Sequence, residues 1–396
     1  MTNRGIWPEN WGLLYAAFAF SQGIGLITYW TLPILAGSLM TGLALTTTEV
    51  GLLGTVEFSG LFFSSLTLAL YIDRGHRKRI ALLSAAVVIS LNLICALIDM
   101  DFAALLAMRF AAGLAAGLAL AIGNATIANA NDTERFSGHM TIMLVAFMVI
   151  IMPIFSRISE SFGYQGVFLA LAGTVAIGAV SILFLPDQPN RNFVDEPTET
   201  GAGAKKNMLS VAGLMLLAVA LLFGARDTLP WLVAEQLGTD AGMTLPELGN
   251  LFSLMYGVSI LGPTLLLFVS RWLEVRTLLA LSMALTGFFC WLFTVSDGNQ
   301  LQFSAGLVIW ATIYFMAFAL LNAVAAMVDR SGRLVSAVGS SFIAGVAIAP
   351  FVGGYLVDRG GYSLIGIAEV VLTVLIVLCV LVGLRGLQLR PSQKSP

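Results

Sequence analysis

Residues 102–124 read FAALLAMRFAAGLAAGLALAIGN, an apolar run with a single charged side chain, Arg109. About 20 apolar residues in a helix cross a hydrocarbon core of about 30 Å, so the run is long enough for a membrane span. An arginine inside such a span needs a partner or a water-filled cavity. Gly113 and Gly117, four residues apart, allow a second helix to approach closely. The stretch therefore predicts a tightly packed transmembrane helix with a functional charge.

The composition of the whole chain extends this interpretation. Of 396 residues, 58% are hydrophobic and 11% are charged, whereas soluble domains carry about 25% charged residues. A soluble enzyme, a nucleic-acid-binding protein and a disordered scaffold are therefore excluded, and the lipid bilayer is the expected surrounding. The cysteines, Cys95, Cys290 and Cys379, stand alone in apolar runs without metal-ligand spacing. No metal and no cofactor is predicted.

Twelve segments are long and apolar enough to span a membrane. Since every backbone polar group in lipid needs an internal partner, we expect all of them to be helices. They cover residues 11–36, 48–70, 80–98, 102–124, 139–159, 166–185, 208–234, 247–270, 276–295, 301–325, 335–357 and 363–385. The predicted fold is an all-α polytopic membrane protein with these helices as spans 1–12.

The basic residues predict the orientation of the spans. With both termini on one side, 16 of the 20 Lys and Arg residues fall on that side and only Arg157 and Arg359 on the other. Cytoplasmic loops hold the excess of positive charge, so both termini are predicted to be cytoplasmic in a multi-pass protein of the inner membrane. The polar first ten residues predict no cleavable signal peptide.

The chain also divides near its middle. Residues 186–207 are polar and rich in Pro and Gly, which predicts a cytoplasmic linker between an N-terminal half, 1–185, and a C-terminal half, 208–396. A weak repeat relates the halves: Glu49-Val50-Gly51 matches Glu247-Leu248-Gly249, and Pro153 matches Pro350. Parallel repeats of this kind predict two pseudo-symmetric six-helix bundles around a central cavity.

Three motifs support a resemblance to a known family. The loop between spans 2 and 3 reads ALYIDRGHRK, residues 69–78, and resembles the G-x-L-a-D-R-x-G-R-K loop of the major facilitator superfamily of secondary transporters. Arg109, Gly113 and Gly117 match the family's R-x-x-x-G-x-x-x-G pattern in span 4. The resemblance implies that Asp73, Arg74 and Arg77 form a cytoplasmic gate.

The third motif, G-P-x-x-G-G in span 5, marks proton-driven drug exporters of that family. Only Pro153 remains of it here, while Pro350 in span 11 is followed by Gly353 and Gly354, a closer copy in the other half. The subfamily is therefore left unassigned, and the two prolines are expected to act in helix packing.

Four charged residues lie inside the predicted spans: Glu57, Arg109, Arg226 and Asp227. At about 1.5 Å per residue, they share one layer roughly 10–14 Å below the outer surface, where two acids and two bases can neutralise one another. Buried charges of this kind mark functional sites. Glu369 in span 12 lies about six residues from the outer end, so we expect its side chain to reach the interface.

The resemblance places spans 1, 4, 7 and 10 around the cavity and brings the outer ends of spans 1, 2, 7 and 8 together when the protein opens inward. We therefore expect Glu57 and Arg226 to pair across the halves when the outer gate is shut. Either Asp227 or Glu57 would then be the proton carrier, because gaining and losing an arginine partner changes the proton affinity of a carboxyl group. The alternative is that Arg226 and Asp227 form a static pair that stabilises span 7.

Other polar and aromatic groups in the spans are candidates for the cavity wall: Gln22, Tyr29, Trp30, Trp310 and Asn322. Such a wall suits an amphipathic organic solute whose carboxylate binds Arg109 or Arg226. The aromatic residues could equally serve only in packing between helices.

The sequence thus predicts a monomeric secondary active transporter that moves a small organic molecule by alternating access, coupled to protons, in efflux or organic-anion uptake. A non-transporting receptor or scaffold of the same fold is the alternative. A wet cavity lined by Arg109, Arg226 and Asp227 would favour the transporter, and a space filled by apolar side chains would favour the scaffold. A membrane-embedded enzyme is not expected, since the spans hold no HExxH or GxSxG motif.

Overall fold

The regular secondary structure is helical throughout the part of the chain that the structure describes. The computed structural model describes residues 10–69, 76–127, 132–187, 210–329 and 332–385, with Pro8, Asn129 and Ala130. Within these ranges, nine helical segments are long and apolar enough to cross a membrane. Two of them, Arg135–Phe184 and Arg333–Gly383, contain two spans each, and span 1 is divided into shorter elements. The prediction of twelve spans is confirmed.

The helices follow the predicted segments and are often longer. Span 1 comprises Trp11–Phe18, Ala19–Gly25, Ile27–Trp30 and Leu32–Leu43. Span 2 is Thr47–Ala69, span 3 is Arg77–Leu97 and span 4 is Phe102–Ile127. Spans 5 and 6 together form Thr133–Ala179, which is followed by Val180–Phe184. Span 7 comprises Val211–Trp231 and Ala234–Asp240, and span 8 comprises Leu245–Ser259 and Leu261–Val269. Span 9 is Val275–Thr294, span 10 is Gln300–Val328, and spans 11 and 12 together form Arg333–Gly383.

Glycine makes the sharp turns between spans 5 and 6 and between spans 11 and 12. Gly163 has a φ of 58° inside Thr133–Ala179, and Gly361 has a φ of 67° inside Arg333–Gly383. Residues with a side chain rarely adopt a positive φ, so glycine is required at these turns. Tyr164 and Tyr362 follow the two glycines, which extends the repeat between the halves.

The start of spans 2 and 8 shows the pseudo-symmetry in atomic detail. We call the side where span 1 begins the terminal face, and the opposite side the far face. Glu49 Oε2 accepts hydrogen bonds from the backbone and hydroxyl of Thr46 at 2.8 and 2.9 Å, and Glu247 Oε2 accepts the same bonds from Thr244 at the same distances. Each helix thus begins at the far face with a capping box, which satisfies otherwise unpaired N–H groups.

The two bundles, spans 1–6 and spans 7–12, pack against each other toward the far face. Span 2 contacts span 11, span 5 contacts span 8, and span 1 contacts the second segment of span 7. Gly51 lies against the backbone of Pro350, and Gly249 lies against the side chain of Ser156 and the carbonyl of Met152. The two repeated glycines therefore both make close approaches between the bundles, and the far-face side of the interface is closed. The predicted linker, 186–207, falls almost entirely outside the described residues, and the chain division there stays a prediction.

Candidate functional site

The charged layer in the first bundle is an ion pair between spans 2 and 4. Arg109 donates to both carboxylate oxygens of Glu57, from Nε at 2.9 Å and from Nη2 at 2.5 Å. Its third nitrogen, Nη1, donates to Oδ1 of Asn92 on span 3 at 3.0 Å. Arg109 is 2% exposed and Glu57 4%. A bidentate pair of this kind is the geometry in which a guanidinium is stabilised away from water.

The small residues of span 4 bring this pair together. A Cβ atom on Gly113 would collide with the carbonyl oxygen of Glu57, and one on Gly117 would collide with the carbonyl oxygen of Leu61. Glycine at both positions therefore lets the backbones of spans 2 and 4 touch. At this separation the Arg109 side chain reaches the Glu57 carboxylate directly.

The second bundle holds its own pair on span 7. Arg226 donates to Oδ2 of its neighbour Asp227 from Nε at 3.1 Å and from Nη2 at 2.7 Å. Span 9 satisfies the remaining donors, because Nη2 also bonds Oγ1 of Thr286 at 2.6 Å and Nη1 bonds the carbonyl of Met283 at 3.0 Å. Both charged side chains are almost completely buried.

The predicted pairing of Glu57 with Arg226 is wrong for this state of the protein. The far-face side is closed, yet each arginine binds a carboxylate of its own bundle. The physical reason is that each guanidinium already has a fork of acceptors within reach and gains nothing by crossing the interface. Each arginine is therefore matched by a carboxylate of its own bundle, and neither pair crosses the interface between the bundles.

Glu369 also departs from the sequence expectation. Its side chain does not reach the interface but is fully buried. Oε1 accepts a hydrogen bond from Thr294 on span 9 at 2.8 Å, and Oε2 has no hydrogen-bond partner. Glu369 lies on the face of span 12 that packs against span 9. From that face its side chain cannot extend to the membrane surface.

The cavity between the bundles has an aromatic wall. Three of the sequence candidates, Tyr29, Trp30 and Trp310, line it. The sequence did not single out the other residues of the wall: Trp231, Met255, Tyr256, Ala311, Tyr314 and Phe315. Spacing along span 10 could have revealed part of this set, since Trp310 and Tyr314 are four residues apart and share a helix face. The cavity leaves room for about one water molecule.

Hydrogen bonds fix the three indole rings of this wall. Trp30 Nε1 donates to Gln22 Oε1 at 3.1 Å, so Gln22 positions a wall residue. Trp231 Nε1 donates to the carbonyl of Tyr29 at 3.0 Å, across the two bundles. Trp310 Nε1 donates to Oδ1 of Asp227 at 2.6 Å. The buried charge of span 7 therefore touches the cavity wall from behind.

The remaining site predictions have different outcomes. Asn322 donates to the carbonyl of Phe318 on its own helix and does not line the aromatic cavity. Arg109, Arg226 and Asp227 are not part of the wall of the aromatic cavity either. They are enclosed by their partners instead. Of the predicted gate loop, Asp73 and Arg74 lie outside the described residues, and Arg77 begins span 3 with a buried side chain.

Comparison with known proteins identifies the family. The model of the Major Facilitator Superfamily matches residues 12–328. The chain belongs to the Major Facilitator Superfamily. A curated relative, the multidrug resistance protein MdtL of Klebsiella pneumoniae subsp. pneumoniae, is 22% identical over 246 residues, which cover 58% of this chain and 62% of the relative. The chain thus matches about three-fifths of the length of that relative.

Solved structures of two transport proteins share the fold over nearly the whole chain. A mutant of the nucleoside transporter NupG superimposes with a TM-score of 0.71 at 15% identity, covering 95% of this chain and 99% of the other. A D-xylose-proton symporter gives the same TM-score at 10% identity, covering 94% and 96%. This superfamily member is thus a multi-pass membrane protein whose family and fold are those of transporters.

Proposed function

We propose that the protein is a monomeric secondary active transporter of the inner membrane that exports small aromatic solutes in exchange for protons. The terminal face would be cytoplasmic, and the halves 1–185 and 208–396 would rock about the central cavity. The observation that carries the proposal is the aromatic wall between the bundles. Aromatic side chains with fixed indole N–H groups provide stacking surfaces for flat organic molecules. No enzymatic step and no nucleic-acid partner is part of this proposal.

The charge distribution favours an uncharged or cationic aromatic solute over an organic anion. Arg109 and Arg226, which the sequence suggested as carboxylate ligands, are each engaged by a carboxylate of the protein. An anion would have to displace that partner. A cation or a neutral ring needs only the π-faces of the wall. The name of the relative, a multidrug resistance protein, agrees with export of such compounds.

A flux assay tests this function. Purified protein in proteoliposomes with an imposed pH gradient is offered aromatic cations, neutral aromatic compounds, sugars and organic anions. We expect gradient-dependent flux of the aromatic compounds and none of the organic anions. If only the organic anions move, the proposal of export of aromatic compounds is wrong and anion uptake takes its place.

Trp30→Ala is expected to weaken the binding of aromatic substrates. Loss of one stacking ring removes roughly 0.5–1.5 kcal/mol, so KM should rise about tenfold at most while the fold is retained. Trp272→Ala is the matched control, because Trp272 is 80% exposed and far from the cavity wall. Equal KM values for the two variants would remove Trp30 from the binding site.

For proton coupling we propose Asp227 in preference to Glu57. Both oxygens of Glu57 bind Arg109, whereas Oδ1 of Asp227 bonds Trp310 on the cavity wall. Solute in the cavity can therefore act on Asp227 through Trp310. A carboxyl group in such contact can exchange a proton as the solute enters and leaves.

Asp227→Asn is expected to abolish the response of flux to the pH gradient while substrate counterflow without a gradient continues. Asparagine keeps an acceptor for Trp310 but cannot exchange a proton. Trp310→Phe is the complementary variant, since it retains the carboxylate and removes only the indole hydrogen bond. Unchanged coupling in Asp227→Asn would refute this role.

One observation favours the alternative, a non-transporting receptor or scaffold. The cavity is almost filled by its own side chains, with room for about one water molecule. A transporter must open this space when the bundles move, and a scaffold need not. Absence of gradient-dependent flux across the whole substrate panel would support the scaffold.

A further inference from the structure

A second carboxyl group lies directly in the interface between the bundles. Glu235 belongs to Ala234–Asp240, the second segment of span 7 near the far face, and is 6% exposed. It lies against Gly37 of span 1, where a Cβ atom on the glycine would collide with the carboxylate of Glu235. Spans 1 and 7 belong to different bundles, so the span 1 side of this enclosure exists only while the far-face side of the interface, here called the far-face gate, is closed.

Glu235 has no cationic partner in the part of the chain that the structure describes. The Leu32–Leu43 segment of span 1 and span 10, which both pack against it, contain no charged residue. Span 8 carries Glu247, which is bound to Thr244, and the phenol of Tyr256. Asp240 on the same segment accepts a hydrogen bond from Tyr362. The charged groups on the elements around Glu235 are thus acidic, and none of them neutralises it.

This placement differs from that of the other buried carboxyl groups. Glu57 and Asp227 are bound to arginines inside one bundle, and Glu369 lies between spans 9 and 12 of the second bundle. Rigid rocking of the bundles leaves those surroundings unchanged. The surroundings of Glu235 change on its span 1 side, because separation of span 1 from span 7 admits water to the carboxylate. A ligand can shift a conformational equilibrium only where the two states bind it differently.

We propose that Glu235 is a proton-binding site that controls the far-face gate, which closes over the protonated carboxyl group and opens when the group ionises. An ionised carboxylate without a partner is strongly disfavoured in a buried position, and protonation removes that penalty. The proposal rests on the proposed function, since it supplies a step by which a proton gradient drives the change of access. Glu235 would thus be a second proton site besides Asp227, and one that acts directly on the gate.

The direction of the pH effect follows from the number of bound protons. The closed state binds one proton more than the open state, so a fall in pH favours closure and a rise in pH favours opening. The ratio of open to closed molecules changes by up to about tenfold per pH unit while one proton is coupled to the gate.

Distance measurements between spin labels test this without any substrate. Cysteines 95, 290 and 379 are replaced by serine, and labels are placed at Thr41→Cys and Gln300→Cys, two exposed far-face positions in different bundles. We expect the labels to move apart between pH 5 and pH 9. In Glu235→Gln, a neutral carboxyl mimic, the short distance should persist at every pH. Glu160→Gln, which removes an exposed far-face carboxylate, should behave like the unsubstituted protein.

The outcomes separate this inference from the proposed function. A label distance that does not change with pH, or one that changes equally in Glu235→Gln, overturns the role of Glu235, whereas proton-driven flux in the same preparation keeps the proposed function. Absence of flux refutes the proposed function regardless of the gate. If Glu235→Gln does not fold, Glu235→Leu serves as a second neutral variant with the same expected result.

Discussion

Glu57→Leu is expected to cost the protein about 3–5 kcal/mol of stability, the usual penalty for removing one partner of a buried ion pair. Arg109, 2% exposed in the unsubstituted protein, would keep the uncharged Asn92 as an acceptor but lose its carboxylate partner. Water cannot replace the carboxylate there, because the backbones of spans 2 and 4 touch at Gly113. We expect a large fall in the melting temperature of the detergent-solubilised protein and a loss of folded protein in the membrane.

A double substitution shows whether the unpaired charge is the cause. Glu57→Leu combined with Arg109→Met replaces the pair by apolar side chains of similar size, which is often neutral or stabilising for a buried pair. The double variant should therefore melt near the unsubstituted protein. Glu160→Leu, the same substitution at an exposed position, is the control. If Glu57→Leu and the double variant melt alike, the charge balance of this layer does not stabilise the bundle.

The sequence predicted the spans because they depend on distance along a helix, and the depth of the charged layer, argued in the same way, stays a prediction. Apolar length gives the spans, and 1.5 Å per residue gives the depth. The partners within the layer depend instead on how each helix is rotated about its own axis. That rotation comes from packing, so the sequence could not show that Glu57 and Arg226 each face a partner within their own bundle. Glu369 was misplaced for the same reason.

Glu235 was missed from the sequence because the end of span 7 was placed too early. The sequence ended span 7 at residue 234, which places Glu235 in the polar surface, but the helical structure continues to Asp240. Burial there arises from contact with Gly37, nearly 200 residues away in the chain. The repeat, by contrast, carried real information about the interface. Gly51 and Gly249 were aligned from sequence, and both make close approaches between the bundles.

Gly51→Leu is expected to lower gradient-driven flux roughly 100-fold while leaving the fold intact. A side chain at this position would collide with the backbone carbonyl of Pro350, and a backbone obstacle cannot rotate away. Overpacking typically costs about 1–3 kcal/mol, and the upper value shifts the equilibrium between closed and open gates by roughly 100-fold. The penalty falls on the closed state alone, because the bundles separate at this contact when the gate opens. The cycle should therefore stall with the far face open.

Gly249→Leu tests whether the symmetric contact is used in the same way. It would collide with span 5 at the side chain of Ser156, so we expect a loss of flux and an increase in the far-face label distance in the same direction. Gly173→Leu is the control for both, since that exposed glycine has open space where a Cβ would lie. Normal flux in Gly51→Leu would mean that closure of spans 2 and 11 is not required for transport. Loss in only one of the two variants would mean that the bundles rock about one contact, and that the sequence repeat preserves packing without equal movement.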